Sequence, residues 1–305
     1  MVSLIITIFN EEKNITNLFS SISRQTLLPN EVVIVDAEST DKTYEYISDF
    51  SNKHPELHIK LIKKAGNRSI GRNIAITNSQ YPIIACTDAG CLLDENWVKN
   101  IVQPFASGNV DVVGGWYETI ADNTWNKSLT KVFNFSAKKV CLKTFLPSAR
   151  SIAFTKKIWE KTGGFDPRLS HNEDTPFAIK LHGMGARFAF ANNAIVHWHA
   201  VKNFRSLYHS IYRYAYGDGQ ARVYTSQYRI IALYFILLIF CFSTGFILPL
   251  FWIVGAIIFL AYLFLPIMQA KRLDNIKEIY LVPTQKLVII LADAIGFIKG
   301  LLAKL

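Results

Sequence analysis

Hydrophobic positions in the N-terminal part of the chain form short apolar runs separated by polar stretches of helical periodicity. Val2 to Ile8 is one continuous β-rich run, and Ile15, Leu18, Phe19 and Ile22 then recur at helical spacing, with Asn10 placed to cap that helix. Glu31 to Val35 predicts a second strand ending at Asp36, after which Ser39 or Thr40 opens a helix carrying Tyr44 and Ile47. Leu57 to Ile62 reads as a third strand and Ser69 to Asn78 as a helix. Tyr81 to Thr87 reads as a buried strand that stops at Asp88. A helix around Trp97 to Phe105 and a strand at Val110 to Val113 continue the series. Strands apolar throughout, rather than in alternation, are covered on both faces. The βαβα order therefore predicts an α/β fold, a mostly parallel sheet with helices on both sides.

Beyond Gly114-Gly115 the pattern loosens. Trp116 to Ser148 mixes aromatics, lysines and amides and reads as a helix or loop region over the sheet. Further strands are expected at Pro147 to Phe154 and Arg187 to Val196, and a helix at Glu173 to Met184. Ile230 to Met268 then contains no formally charged residue. A bilayer crossing takes roughly 20 apolar residues, so this run suffices for two, with Ser243, Thr244, Gly245 and Pro249 at the turn between them. Leu287 to Leu302 is shorter and is interrupted by Asp293 and Lys299. Lys286, Asp293, Gly296 and Gly300 fall near one helical face, which suits a third crossing with a small, polar packing face or a helix lying in the interface. The third crossing is the expectation adopted, with Asp293 facing protein.

Charge adds an orientation. Arg222 and Arg229 precede the apolar hairpin, and Lys271, Arg272, Lys277 and Lys286 follow it, while its turn is uncharged. The positive-inside bias puts both flanks in the cytoplasm. Met1-Val2-Ser3-Leu4-Ile5 offers no basic n-region, so no signal peptide is expected. Cys86, Cys91, Cys141 and Cys241 have neither metal spacing nor a disulfide pattern, as suits a reducing compartment. The net charge of +10 comes without a basic tract interleaved with a nucleic-acid reader motif. Anionic headgroups account for it more simply, and nucleic acid is not an expected partner. A multi-pass cell-membrane protein with a cytoplasmic N-terminal domain follows.

Three acidic points sit where elements end: Asp36, Asp88 and the pair Glu173-Asp174. The carboxyl edge of an open α/β sheet is where ligands bind. Asp88-Ala89-Gly90 nearly spells Asp-x-Asp, an arrangement suited to a divalent cation and a diphosphate, but glycine stands in place of the second carboxylate. Taken singly these residues have plain structural readings. Asp36 would be a turn residue, Glu173-Asp174 an acidic first helical turn, and Asp94 an N-cap before Glu95-Asn96-Trp97. Their succession after apolar strands favours a ligand site.

In that order the chain resembles the family-2 glycosyltransferases of GT-A fold. The resemblance rests on Ile6-Thr7-Ile8-Phe9-Asn10-Glu11-Glu12, Val35-Asp36-Ala37-Glu38-Ser39-Thr40-Asp41-Lys42-Thr43, Arg68-Ser69-Ile70-Gly71-Arg72-Asn73, Asp88-Ala89-Gly90, and Gly163-Gly164-Phe165-Asp166 before His171-Asn172-Glu173-Asp174; it covers about residues 1 to 220. It implies a Rossmann-like GT-A sheet followed by transmembrane helices, and an inverting sugar transfer from a nucleotide-diphosphate donor. Phe9, Asn10, Glu11 and Asp36 would meet the nucleotide, and Arg68 and Arg72 would lie near its diphosphate. Asp88 would bind Mg²⁺ or Mn²⁺, alone or relieved by Arg68, Arg72 or a later cation. Asp174 would be the base, with Glu173 its supporting or acceptor-binding neighbour. Tyr208 to Gly219 occupies the place of the Gln-x-x-Arg-Trp element of processive synthases, but Ser210 and Tyr214 replace Gln and Trp. Processive polymerisation loses support there. Arg213 is then a contact to the donor diphosphate or a lipid phosphate, or the segment is a plain interfacial anchor. The expected organisation is a glycosyltransferase domain at 1–205 (nucleotide-sugar half 1–115, acceptor half 116–205), an interfacial segment at 206–229 and a membrane region at 230–305. The membrane tail makes a lipid-linked glycan the expected acceptor. Two other readings stay open: a tethered nucleotide-sugar-binding protein without catalysis, prompted by Gly90, and a nucleotidyltransferase, disfavoured by the lack of a Gly-rich phosphate loop.

Overall fold

The computed structural model describes residues 1–133, 137, 140–269 and 273–303; Lys271 and Arg272, used above for orientation, lie outside them. The chain divides into two compact units, Met1–Thr119 with Ser136–His199, and Ile120–Phe135 with Ala200–Leu305.

The first unit is built on an eight-stranded sheet. Its strands are β1 (Val2–Ile8), β2 (Glu31–Asp36), β3 (Ile59–Lys63), β4 (Ile83–Asp88), β5 (Cys91–Leu93), β6 (Val112–Thr119), β7 (Ile152–Thr155) and β8 (Phe188–Trp198), in the spatial order β3-β2-β1-β4-β7-β6-β8-β5. β3, β2, β1 and β4 are parallel, β7 runs antiparallel between β4 and β6, β8 is parallel to β6, and β5 is antiparallel to β8. Helices α1 (Ile15–Ser23), α2 (Thr43–Lys53), α3 (Arg68–Thr77), α4 (Trp97–Val102), α6 (Lys156–Thr162) and α7 (Asp174–Gly183) belong to this unit, whereas α5 (Thr124–Phe133) belongs to the second.

Successive residues of β1 point to opposite faces, and both faces are buried. Leu4, Ile6 and Ile8 join a core with Leu18, Phe19 and Trp97, while Ile5 joins Val33, Ile76, Phe154 and Phe165. Burying each such side chain is worth about 1.5–3 kcal/mol, which is why the run is apolar without alternation. Two register pairs matter for the site: Ile8 lies beside Asp36, and Thr7 beside Asp88. Both carboxylates thus finish on the same sheet edge, either side of β1.

Several expectations shift. Asn10 does not cap α1: it has a left-handed φ of 54°, and Asn14 is the N-cap. Ser39 and Thr40 do not open α2, which starts at Thr43, because both are engaged in the turn after β2. The strand expected from Pro147 begins only at Ile152, leaving 147–151 as a turn, and β6 runs on to Thr119. β5 and α6 were not foreseen. Three residues and seven are too short to display a period.

The second unit contains α5, α8 (Phe204–Ala221), α9 (Thr225–Thr244), α10 (Leu250–Gln269) and α11 (Glu278–Leu302). The last three are long and apolar enough to cross a membrane. The helical turn between α9 and α10 falls at the expected residues. α11 is longer than its apolar run because its first turn is held by charge: Lys131 Nζ on α5 lies 2.7 Å from Oε2 of the fully buried Glu278 and 2.7 Å from Asp274. Its small face meets α8. A Cβ at Gly300 would stand 2.1 Å from the Tyr216 carbonyl oxygen, and one at Gly296 would stand 2.5 Å from that of Tyr212. Only glycine allows the two backbones this close.

Candidate active site

The loops after β1 and β2 are sewn together by side chains. Asn10 Oδ1 accepts from Thr40 N–H (2.9 Å), Asn10 N–H donates to Ser39 Oγ (2.9 Å), and Glu11 N–H donates to Thr43 Oγ1 (2.8 Å). Asp36 is fully buried, and its carboxylate accepts from Ser39 N–H (3.2 Å) and Ser39 Oγ (2.5 Å). It therefore shapes the turn from within. Phe9, 56% exposed, projects from the end of β1 beside that turn, and the Glu11 side chain accepts from Asn14 Nδ2.

On the other side of β1, Asp88 has a different environment. Its side chain is 32% exposed, and Oδ1 accepts from Arg72 Nη2 at 2.7 Å. Arg72, 2% exposed, also pairs through Nη1 with the buried Glu173. Burial alone would raise Asp88. The charges of Arg72, Arg150 and Arg68, with the Arg72 hydrogen bond, more than offset it and hold the carboxyl below its ordinary value. Burial likewise opposes the Arg72 charge, and the Asp88 and Asp174 carboxylates, with the hydrogen bond to Asp88, outweigh it. Burial dominates at Cys86, whose thiol is pushed up to about 12, so that it is neutral beside this network.

Arg72 is held by its helix, and the helix by a loop. Asn67 Oδ1 caps α3 by accepting from Ile70 N–H (3.0 Å), while its Nδ2 donates to the Pro167 carbonyl (2.7 Å). Ser69 Oγ donates to the Leu169 carbonyl, and Asn73 brackets Phe165 by accepting from its N–H (2.9 Å) and donating to its carbonyl (2.8 Å). Gly163 and Gly164 both have left-handed φ, 74° and 83°, and a Cβ on Gly164 would stand 2.7 Å from Asn73 Oδ1. Glycine is required for this close turn. Phe165 then packs against Phe154 and Phe177 and under the Arg72 guanidinium, 5.6 Å from its ring centroid.

Asp174 opens α7 and is half-buried. Its Oδ2 accepts from Ala149 N–H (2.8 Å) and Ser148 Oγ (3.1 Å), and its Oδ1 from Thr175 N–H (3.0 Å). Glu173, immediately before it, points into the protein at Arg72. The adjacent carboxylates thus diverge, one to a buried cation and one to the edge where it is oriented by fixed donors. A carboxylate so held, and only partly covered, has the geometry of a general base.

Arg68, the first residue of α3, is exposed, and Arg213 is exposed on α8 in the second unit. Asp94 makes an Asx turn instead of a cap, with Oδ1 accepting from Asn96 N–H, the true N-cap of α4. Among the described residues no group of three or more His, Cys, Asp or Glu could hold a metal. Asp88 nonetheless suits a cation anchored by one carboxylate and completed by ligand phosphates. Arg72 engages Oδ1 alone, and a side chain at Gly90 would meet nothing within 4 Å.

Arg150 escaped the sequence reading. Its guanidinium lies 5.2 Å from the Tyr117 ring centroid and 4.6 Å from that of Trp198. A lone arginine in a polar break ahead of Ile152-Ala153-Phe154 carries no periodic signal. Ser148 and Ala149 were missed for the same reason.

The sequence profile of glycosyl transferase family 2 matches residues 3–191. The chain is similar to glycosyltransferase AglE of Haloferax volcanii, 26% identical over 227 residues, which cover 73% of this chain and 74% of that one. It is also similar to O-antigen chain rhamnosyltransferase RfbN of Salmonella typhimurium, 26% identical over 207 residues covering 64% and 65% of the two chains. Among solved structures, the mannosyltransferase PcManGT of Pyrobaculum calidifontis, in complex with GDP-Man and Mn²⁺, shares the fold with a TM-score of 0.58 and 23% identity, over 72% of this chain and 62% of that one. The match thus spans just under two thirds of the Salmonella and Pyrobaculum proteins. The profile match covers more than half of the sequence, and the chain belongs to glycosyl transferase family 2.

Proposed function

We propose that this family-2 glycosyltransferase moves one sugar, with inversion, from a nucleotide-diphosphate donor to a lipid-linked glycan acceptor, working as a multi-pass membrane protein with its catalytic unit in the cytoplasm. The observation that carries the catalytic reading is Asp174. It is half-buried at the sheet edge, aimed by Ala149 N–H and Ser148 Oγ, and within electrostatic reach of the Arg72 that holds Asp88.

In this reading the acceptor hydroxyl attacks the anomeric carbon from the face opposite the diphosphate, and Asp174 takes its proton. The bond from the anomeric carbon to the diphosphate oxygen breaks, and its electron pair leaves with the nucleotide. Glu173, buried against Arg72, is a positioning residue that keeps Arg72 under Asp88. Asp88 would hold a Mg²⁺ or Mn²⁺ ion through the oxygen Arg72 leaves open; when bound, such an ion supplies Lewis-acid stabilisation of the departing diphosphate. Phe9, Asn10, Glu11 and the turn shaped by Asp36 would receive the nucleoside, with exposed Arg68 toward the phosphates. Donor and metal class draw support from the Pyrobaculum protein's complex with GDP-Man and Mn²⁺. A glycan acceptor draws support from the Salmonella relative's name.

The lipid part rests on α9, α10 and α11 and on α8, whose Tyr208, Tyr212 and Tyr216 stack along one side at ring separations of 6.1 and 6.2 Å. Tyrosines of this kind suit the headgroup level, where Arg213 would meet a lipid phosphate or the donor diphosphate. An acceptor glycan stripped of its lipid should be used far less efficiently than the intact one; equal use would rule the lipid out. Replacing Asp174 by Asn should lower transfer by about a hundred- to ten-thousandfold while donor affinity, read by titration, stays nearly unchanged. Retained turnover would remove Asp174 as the base.

A further inference from the structure

We propose that α11 does not cross the membrane but lies along its surface, with a bare apolar stripe seated among the acyl chains of the bilayer that α9 and α10 cross. The assignment rests on the crossing by α9 and α10 proposed above, and it replaces the third crossing expected from hydropathy. Nearly half of α11's most apolar stretch is buried in protein, against less than a fifth for α9 or α10.

Both ends of α11 lie on the side where α9 begins. A tight turn at 245–249 joins α9 to α10, so a crossing pair returns the end of α10 to that side. Residues 270–277 then carry Lys271, Arg272, Asp274 and Lys277, a link too charged to enter hydrocarbon. α11 therefore starts there, its Glu278 tied together with Asp274 to Lys131 of α5. Its other end returns to the same side. Tyr228, in the first turn of α9, stacks on Phe297 with ring centroids 3.7 Å apart and planes 8° from parallel. The Tyr228 hydroxyl also donates to Asp218 Oδ2 (2.9 Å), near the end of α8. A helix of 25 residues, about 37 Å long, that starts and ends on one side of a bilayer lies in its plane.

α8 agrees with this placement. Gly296 packs on the Tyr212 carbonyl and Gly300 on that of Tyr216, equal steps in the same direction, so the two helices run parallel and in contact. If α11 crossed, α8 would be carried into the hydrocarbon with it. α8 has Arg205, His209 and Arg213 exposed at four-residue spacing, and an exposed cation at that depth is strongly disfavoured. On α11, Tyr280, Thr284, Leu291, Ile295, Ile298 and Leu302 are exposed in steps of three, four and seven residues, one uncharged stripe. Glu278, Gln285, Gly296 and Gly300 are buried on the opposite side. Protein partners on one face and a bare apolar stripe on the other mark a helix of the membrane interface. The basic face of α8 is then turned to water and headgroups.

The test is single-cysteine labelling of the full chain with a membrane-impermeant maleimide, in intact cells and in inverted vesicles, on a Cys141→Ser background. Ser226→Cys marks the start of α9, Ile247→Cys the turn before α10 and Lys299→Cys the end of α11, all at exposed positions. Lys299→Cys should react from the same side as Ser226→Cys and from the side opposite Ile247→Cys. Reaction alongside Ile247→Cys would mean a third crossing and overturn the proposal, as would no reaction from either side. If Ser226→Cys and Ile247→Cys share a side, α9 and α10 do not cross, and the membrane reading falls together with this one. Depth is read separately, by oxygen access to nitroxides at Thr284→Cys, Leu291→Cys and Ile298→Cys in vesicles of phosphatidylethanolamine and phosphatidylglycerol. All three should sit at one shallow depth, about 5–10 Å into the headgroup–acyl boundary. A depth that changes steadily along their span, about 21 Å of helix, would mark a crossing. Protection from oxygen would mark a face covered by a second copy. Either result overturns the proposal.

Discussion

Asp36 and Asp88 end the two parallel strands that flank β1, at the same edge and in nearly the same register, yet their surroundings are opposite. Asp36 is fully buried and spends both oxygens on Ser39, three residues away. Asp88 is partly open and leans on Arg72, sixteen residues away on α3, which is tied to Glu173 on a far part of the chain. A carboxylate satisfied by its own turn becomes scaffold. One satisfied by a distant cation keeps an oxygen for ligand, and its environment can be tuned from several elements at once.

The largest expected effect comes from removing the distant cation. Arg72→Met leaves the buried Glu173 unpaired and should cost about 3–5 kcal/mol in thermal unfolding of the solubilised protein, with transfer activity lost as well. A loss under about 1 kcal/mol, the range of an exposed pair, would show that the network is not buried in solution.

The Asp88 carboxyl should report the same network through pH. Its folded value is depressed, so its stabilising contribution is fully present above the ordinary carboxylate value and fades as pH falls through the lower, folded value. The stability gap between wild type and Asp88→Asn should be constant above about pH 5 and close below about pH 4. A gap that closes at higher pH would mean that the arginines do not outweigh burial.

The smallest effect belongs to the self-contained turn. Ser39→Ala removes two hydrogen bonds, the one its hydroxyl donates to Asp36 and the one it accepts from Asn10 N–H, and should cost about 1–3 kcal/mol, with donor binding weakened through the loop and the metal response unchanged. An altered metal response would break the contrast between the two strand ends.

Much of this was legible in the chain. The parallel β1, β2, β3 and β4, the helices between them and the apolar hairpin each show a period or a run long enough to read. The acidic strand ends were visible too. What escaped were β5, α6, the turn at 147–151 and the seating of Arg150 against Tyr117 and Trp198, all short segments with partners far along the sequence. α5 is a related case. Thr124 to Phe133 reads as an ordinary helix or loop segment, and only contacts such as that of Lys131 with Glu278 assign it to the second unit.

By itself the sequence determined the alternation of elements, the apolar C-terminal helices and the places where carboxylates meet the sheet edge. Those follow from local periodicity and from strands covered on both faces. Tertiary structure alone decided which carboxylate is closed in its own turn and which stays partly open, and that Glu173 turns to the buried Arg72 while Asp174 turns to the Ser148-Ala149 turn. It also decided that Arg72 is spent inside the protein while Arg150 is held at the edge. The reason is physical: a charged group's role depends on its partners and its exposure, and here these are set by strand pairing and helix docking between residues scores of positions apart.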